Sequence, residues 1–123
     1  MGYTYANIKL VNAGDIELSK SHLLEENEIK QMTVRALVDT GCITFCINYA
    51  IQEVLQLSKK GTRKSVLADG RIVELDVVGP IEIYYLDRYC TTNALLMPGN
   101  EEPLLGAIPM AEMRVPHFLP LLR

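Results

Sequence analysis

The sequence predicts a small all-β domain with one or two short helices. Three observations predict it. Runs rich in Val, Ile, Leu and Tyr recur along the chain, Gly, Pro, Asn and Asp punctuate them at short intervals, and a clear helical spacing follows Asn48 alone. With 123 residues, 49% of them hydrophobic and 22% charged, there is enough apolar material for one core. The chain is therefore read as one domain over residues 1–123, centred on about residues 31–113.

Residues 3–11 read as the first strand, ended by the turn signal Asn12-Ala13-Gly14-Asp15. Residues 16–18 are expected to continue a hairpin from it. Residues 19–30 are polar and read as an exposed loop with room for a helical turn, with Glu25-Glu26-Asn27-Glu28 as a solvated run. Residues 31–38 read as a strand ending in Ala36-Leu37-Val38, the texture of a strand buried on both faces. Asn48 is the expected N-cap of a short helix whose inner face is Ile51, Val54 and Leu55, with Lys59, Lys60 and Gly61 as its stop signals.

From Thr62 the texture is β again. Ser65-Val66-Leu67 leads into Asp69-Gly70, and Val73-Glu74-Leu75-Asp76-Val77 alternates as a half-buried strand should, so a hairpin is expected between them. Gly79-Pro80 marks a break or bend. Residues 81–86 and 91–97 read as two further strands joined through Asp87-Arg88, and Pro98-Gly99-Asn100 is a turn. Leu104-Leu105-Gly106 is an apolar pair ended by Gly, and residues 107–113 are expected to form a second short helix. Residues 114–123 are apolar, contain Pro116 and Pro120, and are expected to pack on the core or serve a dimer interface.

Composition narrows the function classes. Lys and Arg number 12 against 15 Asp and Glu, a net charge of -3 with no basic cluster, which argues against a nucleic-acid partner. Pro, Gly or charge interrupts the apolar stretches, so no membrane span is expected. Residues 1–10 lack a basic start followed by an apolar run, and Ala6 stands where a myristoylation signal needs Ser or Thr. Three cysteines read as reduced thiols, so the expected compartment is the cytoplasm. Cys42 and Cys46 are four apart, Cys90, His22 and His117 lie elsewhere, and buried free thiols rather than a metal site are expected.

The residues with chemical potential are Asp39-Thr40-Gly41, a carboxylate that leaves an apolar strand directly. Taken alone they are an ordinary turn. Their context is more specific: a short helix follows, then the Ala68-Asp69-Gly70 hairpin tip, then the Leu-Leu-Gly element. In this order the sequence resembles the retroviral-type aspartic proteases, the single-lobe relatives of pepsin, and most closely their small prokaryotic members. Ala36-Leu37-Val38-Asp39-Thr40-Gly41, Leu67-Ala68-Asp69-Gly70-Arg71 and Glu102-Pro103-Leu104-Leu105-Gly106-Ala107-Ile108-Pro109 carry the likeness, over about residues 34–113.

The resemblance implies a small closed β-barrel-like fold of retropepsin type and an aspartic endopeptidase acting on peptides or proteins, with no cofactor. Hydrolysis without a metal or a nucleophilic side chain needs a base for water and an acid for the product. Two carboxyls in contact supply both, because like charges that close share one proton. The chain has one Asp-Thr-Gly, so the second Asp39 must come from a twofold-related copy, a homodimer. The resemblance further implies that Thr40 bonds across the axis, that the Gly41 N–H supports the carboxylate, and that Ala68, Asp69 and Gly70 belong to a flap over the substrate. Asp69 itself reads as a turn former. Cys42 departs from the family, which usually has Ala, Ser or Thr there, and its weak S–H leaves a second reading: a catalytically inactive module for dimerisation or peptide binding.

Overall fold

The computed structural model describes residues 4–39, 41–67 and 69–114 and is mostly β. The strands are β1 (Tyr5–Asn12), β2 (Gln31–Val38), β3 (Phe45–Ile47), β4 (Ser58–Val66), β5 (Ile72–Tyr85), β6 (Arg88–Leu96) and β7 (Leu104–Leu105). Three short helices join them, α1 (Ala13–Lys20), α2 (Tyr49–Leu55) and α3 (Ala107–Glu112), with a 3-10 turn at Glu26–Glu28. The strands form one mixed sheet in the order β1-β2-β7-β3-β6-β5-β4. β1 also pairs with β5, Lys9 opposite Tyr84 through Asn12 opposite Ile81, so the sheet closes in a ring.

Alternation along the strands sorts side chains into two apolar clusters. The larger gathers Ile8 and Leu10 of β1, Phe45 and Ile47 of β3, Ile81 and Ile83 of β5, and Leu105 of β7, with Ile51, Leu55 and Met110 from the helices. The smaller lies on the opposite face of the same strands: Cys46, Leu75 and Leu95, flanked by Cys42, Val73, Val77, Met97 and Leu104. Each fully buried side chain of this size contributes about 1.5–3 kcal/mol. No helix among the described residues is long and apolar enough to cross a membrane.

Several expectations are corrected. Asn12-Ala13-Gly14-Asp15 opens a helix instead of a hairpin. The Asn12 side chain accepts the Asp15 N–H at 3.1 Å and donates to the Leu55 carbonyl at 2.8 Å, so Asn12 caps α1 and ties it to α2. Asp15 is buried and pairs with Lys30 Nζ at 2.9 Å, which fastens α1 to the entry of β2. Lys59, Lys60 and Gly61 do not end α2. That helix stops at Leu55 with Gln56 in the left-handed region, and the three residues lie in β4.

Among the described residues β4 pairs with β5 alone, and its Lys59, Lys60, Arg63 and Lys64 are all exposed, a local basic strip that the net charge concealed. Charge of this kind on an edge strand opposes pairing with another chain. Gly79-Pro80 bends β5 without ending it, and the register with β6 shifts between Val78 and Ile81. β2 is not buried on both faces, because exposed and half-buried residues alternate as far as Arg35. Val54 is 45% exposed, since a seven-residue helix buries only the narrow stripe of Ile51 and Leu55. Strand β3 was not foreseen. Residues 1–3 and 115–123, including the proline-containing tail, lie outside the described residues.

Candidate active site

Asp39 follows the last residue of β2. Beside it runs β7, parallel to β2 with Leu37 opposite Leu104 and Val38 opposite Leu105, and antiparallel to β3 on its other side. The Asp39 N–H donates to the Leu105 carbonyl at 3.1 Å, which carries the pairing one bond past the strand end. The chain then turns. The Gly41 N–H donates to Asp39 Oδ1 at 2.9 Å, and the Cys42 N–H donates to the Asp39 carbonyl at 3.0 Å. A side-chain oxygen that accepts the backbone N–H two residues on is an Asx turn, the local habit of Asp. Here it sets the carboxylate's direction at the strand end.

The loop rests on the Leu-Leu-Gly element. The Ala107 N–H donates to the Cys42 carbonyl at 2.8 Å and the Ile108 N–H to the Ile43 carbonyl at 2.9 Å. A Cβ at Gly106 would collide with the Thr44 and Cys42 carbonyls, so only glycine permits this approach. The Leu104-Leu105 strand and the glycine after it thus run beside the Asp39 loop. Thr40 and Ala68 lie outside the described residues.

β4 pairs with Ile72–Gly79 of β5, while β6 joins β5 only from Val77 onward. The stretch before Val77 is thus a two-stranded ribbon. At its tip the Leu67 N–H donates to the Arg71 carbonyl at 2.8 Å and the Gly70 N–H to the Leu67 carbonyl at 2.9 Å. Gly70 has φ 87°, in the left-handed region that glycine enters without steric cost. Asp69 Oδ1 accepts the Arg71 N–H at 3.0 Å, and Oδ2 accepts from Arg71 Nε at 2.7 Å. Those two bonds, the backbone one foremost, hold the Asp69 carboxyl below its ordinary range. Asp69 is therefore engaged in its own turn.

Ribbon and loop together bound a pocket of about 500 Å³. Val66, Leu67, Leu75 and Arg71 of the ribbon line one side, and Cys42, Cys46, Leu95 and Leu104 line the other. The pocket meets the Asp39 loop at Cys42. Cys42 Sγ lies 3.3 Å from the Thr44 carbonyl and 3.8 Å from Cys46 Sγ. The hydrogen bond from Cys46 lowers the Cys42 thiol to about 7 against the opposing effect of burial; the same bond, then burial, pushes the Cys46 thiol up. Burial also pushes Cys90 up to about 11. All three thiols are free, but the expectation that they are buried fails for half-exposed Cys42. Among the described residues no three His, Cys, Asp or Glu side chains gather as a metal site would require.

Sequence reasoning missed the pocket's far wall, Leu95 and Met97, and the nearness of Cys46 to Cys42. The alternation of Val73, Leu75 and Val77 could have placed Leu75, since it puts all three on one face. No protein-family model matches the chain, and no curated protein does either.

Proposed function

We propose that the protein is an aspartic-type endopeptidase of the retropepsin-like kind, acting as a cytoplasmic homodimer on peptide or protein substrates. On this reading the ring of strands is that family's small closed barrel and the β4–β5 ribbon is its flap. The observation that carries it is the Asp39 turn: a carboxylate at a strand end, aimed by the Gly41 N–H at 2.9 Å and seated on the Leu105 carbonyl through its own backbone. Two further features support it. The ribbon overhangs an apolar pocket that reaches this loop. Ile43 and Ile108, joined through their backbones, are 67% and 49% exposed, an apolar pair beside the loop that a second copy would cover.

In the dimer the two Asp39 carboxyls share one proton. The ionised one takes a proton from water as that water attacks the peptide carbonyl, and the protonated one donates to the carbonyl oxygen. Collapse of the tetrahedral intermediate then delivers a proton to the departing amine. An extended substrate pairs with ribbon backbone while an apolar side chain enters the pocket.

The test is Asp39→Asn, which keeps the Asx turn but removes the acid and base. Cleavage of an apolar-rich peptide library by the wild type, with a loss on the order of 10³-fold in the variant, is the expected result. Equal cleavage by both proteins would remove the enzyme. A wild type that assembles as a dimer and binds peptides without cutting them is the inactive module instead.

A further inference from the structure

We infer that Cys42 and Cys46 are a redox-active pair in the pocket wall, in which a peroxide oxidises Cys42 and Cys46 resolves it to an intrachain disulfide. The two sulfurs stand 3.8 Å apart and both line the pocket. A disulfide needs them at roughly 2 Å, and both sit within one five-residue stretch, so the closure is short. Their settings divide the labour. Cys42 is half-exposed in the loop between β2 and β3, whereas Cys46 is 5% exposed within β3. An oxidant entering the pocket meets Cys42 first, and the buried partner waits behind it.

The chemistry balances. The Cys42 thiolate attacks one peroxide oxygen and the O–O bond breaks. Cys42 becomes a sulfenic acid, and the leaving hydroxide takes the thiol's proton to give water. Cys46 sulfur then attacks the sulfenic sulfur. The S–O bond breaks, the S–S bond forms, and the hydroxide leaves with the Cys46 proton as a second water. Two thiols are oxidised and one peroxide is reduced. The lowered Cys42 thiol, held at about 7 by the Cys46 hydrogen bond, is consistent with the attacking role. Cys90 is an internal control, because it is buried and its thiol is pushed up to about 11.

The pair's chemistry is independent of proteolysis. Where the chain does cleave peptides, the crosslink lies in the segment that carries the Asp39 turn into β3, and oxidation is expected to lower cleavage. The test reads the thiols directly. The full chain is treated with hydrogen peroxide near neutral pH, alkylated and mapped by peptide mass. The expected result is a Cys42–Cys46 crosslink, reversed by dithiothreitol, with Cys90 still alkylated and reacting at least roughly tenfold more slowly than Cys42. In Cys46→Ser, Cys42 stops at the sulfenic acid and is trapped by dimedone. Should that buried substitution unfold the chain, Cys42→Ser carries the test, since it leaves Cys46 reduced under the same treatment. The inference is overturned if all three thiols stay alkylatable, if Cys46 oxidises equally in Cys42→Ser, or if the crosslink joins two chains.

Discussion

Asp39 and Asp69 make the same local structure in two different places. Each accepts, on Oδ1, the backbone N–H two residues further on, at 2.9 Å from Gly41 and 3.0 Å from Arg71. The difference lies in what surrounds the turn. Asp69 rides the tip of a two-stranded ribbon and is also clasped by Arg71 Nε at 2.7 Å. Asp39 grows from a strand paired with β1 and β7, its N–H is bonded to Leu105, and no ion pair of Asp39 occurs among the described residues. One residue type thus gives a carboxylate committed to its own turn and another that a rigid sheet presents. Local chemistry makes the turn, and its neighbours decide whether the charge is spent.

The largest expected effect separates the two directly. Asp69→Asn should change kcat/KM for a peptide by less than about tenfold, against the loss on the order of 10³-fold expected for Asp39→Asn. Similar losses in both would mean that the ribbon tip takes part in the chemistry. The two supporting glycines sharpen the contrast. Gly106→Ala drives a methyl into the Thr44 and Cys42 carbonyls and should cost about 3 kcal/mol by denaturant unfolding. Gly70→Ala meets open space and pays only for its φ of 87°, about 1 kcal/mol. Equal losses would show the Asp39 loop to be no more tightly seated than the tip.

Acid should distinguish the tip again. The Asp69 carboxyl is held low in the folded chain, so its contribution is fully present above the ordinary carboxylate range and is lost as pH falls through the lowered folded-state value. A carboxyl-carbon NMR titration should place the Asp69 midpoint below that of an unstructured peptide, and Arg71→Ala should return it upward. A midpoint unchanged by Arg71→Ala would leave the backbone bond as the sole cause. The smallest effect lies at the opposite end of β5, where the turn after Tyr85 holds Leu86 at φ 55° with 70% of its surface exposed. Asn tolerates that conformation better, so Leu86→Asn should stabilise the protein by about 0.5 kcal/mol in the same unfolding experiment.

The parts legible beforehand share a short range. Asn48 was readable as a cap, and its Oδ1 accepts the Ile51 N–H at 2.9 Å. The alternation of residues 73–77, the Gly-ended Leu104-Leu105 pair and the Asp39 turn were readable in the same way. Asn12 shows where the reading stops. The same four residues spell a turn or a helix start, and the choice fell to the helix because the Asn12 amide reaches the Leu55 carbonyl and Asp15 reaches Lys30. Likewise Lys59, Lys60 and Gly61 suit a helix end, yet they lie in β4, where Lys59 and Gly61 pair with Val78 and Val77 of β5 and the register shifts between them.

Caps, turns and which face of a strand is apolar came from residues within about four positions of one another, where covalent geometry and side-chain reach leave few alternatives. Folding alone settled that a two-residue strand slots between β2 and β3, that β1 and β5 meet to close the ring, and that Cys42 and Cys46 face one pocket. Those outcomes depend on backbone donors and acceptors from distant segments finding each other and on apolar faces being buried together. No window of sequence contains both partners of such a pairing.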